Sequence, residues 1–492
     1  MRLSGEPLEP LELTLPDVLD RAPEGCAAIF EGDDVSYGEL RERTRAFAAR
    51  LVELGVQPGD RVALLMTNRP EFLVAHYGAT RAGAIVVPLS TRASAPELRL
   101  VLEHCLPVVV VAEESFRGLR LRDTVYSLAG ELPALRHVLA AERIRDVEDA
   151  AGGAALPTLR PEDPALLIYT SGTTGEPKGC LHAHRSLVTN ASVNADLKRL
   201  SSEDRVIASV PFFNAFGIVN CVLESFLAGA TIVVQPTFEA AETLRLLERE
   251  RVSVLLGTPT MWIRMAEQPG FDEANLAALR TGTMAGAPAP PDLVERWRAR
   301  GCDLVLVYGL SEAPSILANG RPTPGVEVEI SAGGELLARG YNQMLGYYGD
   351  EEATAGRIRD GWLSTGDLAE LDPDGRIRIT GRADDMLIVG GFNVHPGEIE
   401  QGLREHPDVA DAAAFGVPDR ELGDAPAAWV VPHRGADPTP KELRAFLGDR
   451  LARNKVPRHI RIVDELPLTA NGKVQRFRMR EAMEREFASA KR

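Results

Sequence analysis

The alternation of helical and strand-like segments constrains this chain more than any single motif. Residues 37–54, YGELRERTRAFAARLVEL, carry Leu40, Phe47, Leu51 and Leu54 at a helical period; Gly55 ends it, and the apolar run Arg61–Met66 follows at strand length. The unit recurs: a helix near 71–81 leads to AIVVPL, one near 96–105 to PVVVVA, and one over 239–251 to VSVLLGT. Val-rich runs without polar alternation suit strands covered on both faces, so the pattern predicts α/β layers around largely parallel sheets. At about 150 residues per unit, 492 residues make roughly three structural units. The chain has no internal repeat, and the Ala/Glu/Arg-rich stretch 138–155 reads as a surface loop or short helix.

Past residue 325 the texture changes. GVEVEIS, GELLARG, LAELD and GRIRITG are short strands separated by Gly and Asp turns, and DPDG at 372–375 is a hairpin turn. After Gly381 come a helix at 397–405, strands at 410–416 and 426–432, a helix at 440–452 and a strand at 459–463, enough for a compact α+β unit. The expected boundary lies at 381–385. This gives a large domain over 1–381, of α/β-layered subdomains plus a β-rich subdomain, a link at 382–385 and a small α+β domain over 386–492.

Charge and cysteine content narrow the function. With 55 Lys+Arg against 71 Asp+Glu the net charge is −16 and no basic block offsets it, so nucleic acid and anionic lipid are disfavoured partners. The five cysteines, Cys26, Cys105, Cys180, Cys221 and Cys302, are odd in number and lack CxxC or metal-ligand spacing, which reads as reduced, mostly buried thiols in a cytoplasmic protein. The first residues hold charges and prolines where a signal peptide needs an apolar core, and no later stretch has the length of a membrane span.

The chemistry-bearing segments begin with Leu166–Gly179, LLIYTSGTTGEPKG, an apolar strand running into four hydroxyl residues, three glycines and Lys178. Glycines let backbone N–H groups approach a phosphate, hydroxyls add donors and lysine adds charge, so the segment reads as a phosphate cradle. It does not meet the Walker A spacing, and its plain alternative is a Ser/Thr/Gly surface loop. YGLSE at 308–312 follows the apolar run LVLV, so a strand delivers Tyr308, a turn, Ser311 and Glu312 to one sheet edge, where ligands bind in α/β folds. Tyr308 could stack on a base and Glu312 hold Mg²⁺ bound to nucleotide phosphates, although the pentapeptide alone fits a plain turn equally. STGD at 364–367 puts Asp367 in a turn, as a ribose acceptor or as a solvated acid. GRADDMLIVGGFNVHPGEIE at 381–400 has the glycines and acids of a hinge, with a helix begun by Pro396. Lys473 follows the Asn471-Gly472 turn, on a tip able to reach a cleft or simply solvated. His182-Ala-His184 invites a metal reading, but two histidines without a third ligand are more often surface or helix-cap residues.

Together these segments, in this order, resemble the AMP-forming acyl-CoA synthetases, the superfamily that also holds adenylation domains of nonribosomal peptide synthesis and beetle luciferases. The resemblance runs from about Tyr37 to Arg476 through TSGTTGEPKG, YGLSE, STGD, GRADDMLIVGGFNVHPGEIE and NGKVQR, with GRPTPG, GELLARG and MLGYY in agreement. It implies a mobile C-terminal domain and a two-step reaction: a carboxylic acid and ATP give an acyl-adenylate and pyrophosphate, then the acyl group passes to a thiol, usually that of coenzyme A. It assigns Thr170, Ser171, Gly172, Thr173, Thr174, Gly175 and Lys178 to the β- and γ-phosphates. It gives Glu312 to Mg²⁺, Ser311 to the α-phosphate or the substrate carboxylate, Tyr308 and Gly309 to the adenine platform, and Ala285, Gly286 and Ala287 to the adenine edge. Asp367 and Arg382 would bind ribose. Lys473 would bridge the carboxylate and the α-phosphate, neutralising charge that grows on phosphorus. Rotation about Asp384 would then withdraw Lys473 and bring in Gly390, Gly391 and Phe392 to line the thiol tunnel.

The resemblance builds the acid pocket from Phe212, Phe213, Asn214, Gly217, Thr283, Met284, Leu310 and the residues around Thr258–Met261. No buried aspartate stands where amino-acid-activating domains hold an ammonium, so an amino acid is disfavoured. Asn214 takes the place of the family's usual histidine: a neutral swap, a reader of a polar group on the acid, or a cause of weakened thioester formation. The leading reading is an acid–CoA ligase. The other enzyme reading is delivery to a carrier-protein phosphopantetheine acting in trans, and a third is a catalytically silent nucleotide-binding scaffold, against which Lys178, Glu312, Asp367, Arg382 and Lys473 together count. Dimers are common in the family, and a homodimer is left open.

Overall fold

The computed structural model describes residues 1–144, 155–171, 177–382, 387–389, 392–394, 396–419, 423–451, 455–468 and 474–490. Its contacts divide the chain into two units, one of Arg2–Val328 with Ala338–Leu363, the other of Met1, Glu329–Leu337 and Ser364–Arg492. The strands Val326–Ile330, Glu335–Gly340 and Trp362–Leu371 each run through the division.

Among the described residues the larger unit is built on two sheets. One has nine strands in the order Arg321–Pro322, Leu317–Ala318, Asp303–Tyr308, Thr281–Ala285, Val254–Gly257, Arg205–Ala208, Thr231–Val234, Cys26–Phe30 and Asp33–Ser36. Its strands pair in parallel from Asp303–Tyr308 through Cys26–Phe30. The other has seven, in the order Gly346–Tyr347, Pro177–Ala183, Pro164–Ser171, Ile85–Pro88, Arg61–Leu65, Val109–Ala112 and His137–Ala140, parallel from Pro164–Ser171 onward. The runs IVVP and VVVA are buried along their whole length, as cover on both faces requires.

The helices start where local chemistry dictates. Ser36 accepts a hydrogen bond from the Glu39 N–H to cap Tyr37–Glu53, and Ser94 and Glu97 close a capping box ahead of Ala95–Cys105. Pro70–Arg81 is buried around its whole circumference. Phe47, Phe72 and Phe226 join one apolar cluster with Leu64 and Val86 of the seven-stranded sheet and Val206, Ile232 and Val254 of the nine-stranded one. Each fully buried side chain there contributes about 2 kcal/mol relative to exposure, so this cluster is what fixes the two sheets to each other.

The stretch read as a loop or short helix over 138–155 begins instead as the strand His137–Ala140, parallel to Val109–Ala112. A 3₁₀ turn at 141–144 follows, the short helix of that expectation, while the four-residue strand is too short to stand out without its neighbour; residues 145–154 lie outside the described residues. All five cysteines are free, four of them buried and Cys26 half-buried.

In the smaller unit, residues up to Leu371 pair antiparallel with Ile377–Arg382, and Gly375 N–H to Asp372 O closes the DPDG turn. A five-stranded sheet follows, in the order Phe392–Val394, Leu387–Val389, Gly423–Pro432 and Val409–Asp419, with His459–Ile462 parallel to Gly423–Pro432. The helices Pro396–Arg404 and Pro440–Gly448 cover one face through Ile399, Leu403, Leu443 and Leu447, and Met479 and Met483 join Phe415 and Ala427 in a second cluster. The expected helix 440–452 ends at Gly448, where propensity is lowest. No helix among the described residues is long and apolar enough to cross a membrane.

Candidate active site

Four neighbouring parallel strands, Arg205–Ala208, Val254–Gly257, Thr281–Ala285 and Asp303–Tyr308, end in register along one sheet edge. The residues that follow them include many of those expected at the site: Phe212, Phe213 and Asn214 after the first, Thr258–Met261 after the second, Gly286 and Ala287 after the third, and Gly309–Glu312 after the fourth. Ala285 pairs with Val307, so the 285–287 backbone and Tyr308 emerge side by side at the carboxyl end of the sheet, the ligand edge of an α/β fold. Gly286 has φ of 88° and is exposed with Ala287, turning the chain off the strand with its backbone presented outward.

Glu312 is the electrostatic centre of this edge. The Tyr347 hydroxyl donates to Glu312 Oε1 at 2.8 Å, and Arg357 lies 3.6 Å from the same oxygen. The second carboxylate oxygen makes no hydrogen bond or ion pair with the described residues. The Lys178 ammonium sits 5.2 Å from the centre of the Tyr347 ring. Tyr347 belongs to the strand Gly346–Tyr347, paired with Cys180 on Pro177–Ala183, so the seven-stranded sheet delivers Lys178 and Tyr347 to a carboxylate carried by the nine-stranded sheet. Burial, with the Glu312 charge behind it, pushes the Tyr347 hydroxyl up, which keeps it a donor. The same two causes push the Cys180 thiol up and leave it unreactive.

His182 and His184, expected at the surface or in a helix cap, are both buried. His182 Nε2–H donates to the Ser311 carbonyl at 2.7 Å, and burial lowers its pKa to about 4, so a neutral imidazole anchors the backbone beside Glu312. His184 Nδ1 accepts from the Leu15 N–H at 3.1 Å. The strand Pro177–Ala183 carries both His182 and the partner residue of Gly346, and only the pairing of the sheets reveals what either touches. Sequence reasoning passed over Tyr347 and Arg357 and gave His182 no role beside Glu312; the MLGYY run was a signal for the first of them.

The remaining site residues distribute as follows. Thr170 and Ser171 end the strand Pro164–Ser171, and the Thr170 backbone pairs with Lys178. Phe212 is fully buried against Phe72, with ring centroids 5.4 Å apart, and Gly217 is buried at the end of a short helical turn. Asn214 precedes that turn, half-buried, and its side chain bonds to none of the described residues. Thr283 and Met284 are adjacent on one strand and so point to opposite faces; Met284 packs in the core with Trp262 and Trp297, while the fully buried Thr283 hydroxyl has no partner among the described residues. Leu310 is half-buried in the loop. Asp367, expected in a turn, lies within the strand Trp362–Leu371, 5% exposed and 3.2 Å from Arg382 on the paired strand. It is therefore no solvated acid: the strand continues through Gly366, whose φ of 70° replaces a turn. Asp367 and Arg382 belong to the smaller unit. Gly172, Thr173, Thr174, Gly175, Asp384, Gly390, Gly391 and Lys473 lie outside the described residues, and Phe392 is described only as a strand position.

No group of three metal-ligating side chains occurs among the described residues. A lone carboxylate with one open oxygen nevertheless fits Mg²⁺, which takes one or two protein carboxylates and fills its shell with water and substrate oxygens.

A family model described as AMP-binding enzyme matches residues 16–348, and one described as AMP-binding enzyme C-terminal domain matches residues 398–473. The chain is 38% identical over 502 residues to the 3-[(3aS,4S,7aS)-7a-methyl-1,5-dioxo-octahydro-1H-inden-4-yl]propanoyl:CoA ligase of Mycobacterium tuberculosis (strain ATCC 25618 / H37Rv), covering 95% of this chain and 98% of that one. Its fold is similar to ATP-bound MatB from Rhodopseudomonas palustris, with a TM-score of 0.88, 29% identity and 96% and 99% of the two chains covered. It is equally similar to the anthranilate CoA ligase AuaEII in complex with anthranoyl-AMP, with a TM-score of 0.88, 27% identity and coverage of 96% and 98%. The chain belongs to the AMP-binding enzyme family, as an AMP-forming acyl-CoA synthetase.

Proposed function

We propose that this chain activates a carboxylic acid with ATP and passes the acyl group to coenzyme A. The observation that carries the reading is the meeting of Lys178, Tyr347 and Glu312 beside the 285–287 and 308–312 backbones at one sheet edge. In the first half-reaction a carboxylate oxygen of the acid bonds to the α-phosphorus and the bond to pyrophosphate breaks. In the second, the thiol sulfur bonds to the acyl carbon and AMP leaves, taking the electron pair of the acyl C–O bond.

This chain's residues divide the work by position. Lys178 neutralises the terminal phosphates, and Tyr308 and the 285–287 backbone hold the adenine. Glu312, its first oxygen fixed by Tyr347, offers the second to Mg²⁺, which would offset charge on the phosphate oxygens. His182 fixes the Ser311 backbone, so Ser311 faces the α-phosphate without reorganising. Asp367 and Arg382 bind ribose, Lys473 serves adenylation, and rotation about Asp384 exchanges it for the segment with Gly390, Gly391 and Phe392.

The acid lies against Phe212, Phe213 and Leu310, and two of the proteins named above, the propanoyl:CoA ligase of Mycobacterium tuberculosis and the anthranilate CoA ligase, act on ring-bearing acids. Asn214, whose amide bonds to none of the described residues, reads a polar substituent on such an acid. The test is exchange of labelled pyrophosphate into ATP: it should require a carboxylic acid and be strongest with cyclic or aromatic acids. Exchange that ignores every acid offered would refute the reading.

A further inference from the structure

Ser315 adopts a left-handed φ of 55°, a region disfavoured for residues that bear a Cβ. That turn folds the chain back over the loop that carries Ser311 and Glu312. Ile316 N–H donates to Tyr308 O at 2.8 Å and Leu310 N–H to Ala313 O at 3.0 Å. The return is so close that a Cβ on Gly309 would lie 2.3 Å from the Ser315 nitrogen.

What holds this backbone is a buried polar cluster. Ser315 Oγ accepts from Asn194 Nδ2 at 3.0 Å and from Asn220 Nδ2 at 2.9 Å. Asn342 Nδ2 donates to the Pro314 carbonyl at 2.8 Å and Thr323 Oγ1 to the Ser315 carbonyl at 2.7 Å. All five side chains are at most 4% exposed. Buried amides and hydroxyls that answer one another in this way specify one backbone arrangement, because breaking any bond strands a dry polar group.

Asn220 comes from an unexpected place. It lies in the π-helical turn Ile218–Leu223, directly after the segment with Phe213 and Asn214, and its neighbours Ile218, Val219, Cys221, Val222 and Leu223 are all apolar and buried. Packing alone asks for another apolar residue at that position. A π-helical turn widens the helix by a residue and recurs at functional sites; here it carries an amide to the loop that follows the strand Asp303–Tyr308.

We propose that Asn220 and Ser315, with Asn194, are positioning residues that set the loop of Ser311 and Glu312, so that affinity for MgATP depends on an amide in the helix behind the acid side. The proposal rests on reading Ser311 and Glu312 as nucleotide-side groups. Titration calorimetry of the full chain with MgATP tests it on the wild type, S315G, N220A and the double variant. Glycine accepts the left-handed φ, so S315G removes the hydroxyl without straining the loop and stays informative where N220A lowers the melting temperature. Each single change should weaken MgATP about fivefold, the loss of one buried hydrogen-bond link. The double variant should bind no worse than S315G, since Asn220 acts through Ser315. Unchanged affinity in S315G, or losses that add in the double variant, would overturn the proposal, as would a lower melting temperature with wild-type affinity. A wild type that fails to bind MgATP would instead refute the nucleotide-site reading itself, before any variant is compared.

Discussion

Glu312 spends one carboxylate oxygen on Tyr347 and Arg357, and the other bonds to none of the described residues; that asymmetry grades the effects of substitution. E312Q should lower pyrophosphate exchange about a hundredfold, the scale of losing one preorganised electrostatic contact. Y347F keeps the carboxylate and should cost about tenfold or less; equal losses in the two would contradict the division of labour. N214H should lower turnover with acids that carry a polar substituent and spare plain ones, and a uniform effect across acids would show that Asn214 does not read the substituent. At this scale the sequence singled out Lys178 and Glu312, which the fold brings to either side of Tyr347. It was silent on what His182 touches, a carbonyl 129 positions away, in the loop after a strand of the other sheet. Asp367 was misplaced in a turn because a glycine in a strand looks the same as a glycine in a bend.

Among the elements, the Val-rich strands and their preceding helices were legible because period and burial agree, whereas the caps at Ser36 and Ser94 came only with the structure. The π-helical turn Ile218–Leu223 was not, since its one extra residue leaves no mark on an apolar run. The pairing of Lys198 with Glu224, 2.8 Å apart and both fully buried, was equally hidden because their separation follows no local period. It joins the helices His184–Lys198 and Glu224–Ala228, and burial pushes the Glu224 carboxyl up to about 7. Breaking it with E224A should cost about 3–5 kcal/mol in a urea melt, by stranding a buried charge. The paired replacement K198M/E224L should be nearly neutral. A single variant as stable as the double would show that the pair is not desolvated.

At the scale of the whole molecule, the contacts give the smaller unit Glu329–Leu337 and Ser364–Arg492, whereas the change of texture along the sequence suggested a boundary at 381–385. The two sheets of the large unit meet through side chains far apart in sequence, which periodicity alone cannot locate. That interior also buries three neutral histidines, His76 with a pKa lowered to about 3 and His182 and His184 with values lowered to about 4, all by desolvation. Unfolded, each would titrate near 6.5, so below that pH the unfolded chain binds more protons. Their contribution is therefore fully present above pH 6.5 and is lost as pH falls toward 4. Between pH 6.5 and 5.5 the three together should cost on the order of 3 kcal/mol, read as a falling urea midpoint; a flat midpoint across that range would contradict their burial. The central claim, acid activation followed by transfer to coenzyme A, is met most directly by AMP release from MgATP and a ring-bearing acid, with and without coenzyme A, while acyl-CoA is followed by mass spectrometry. The account predicts multiple turnovers and an acyl-CoA product only when coenzyme A is present; a single burst of adenylate that coenzyme A leaves unchanged would contradict it.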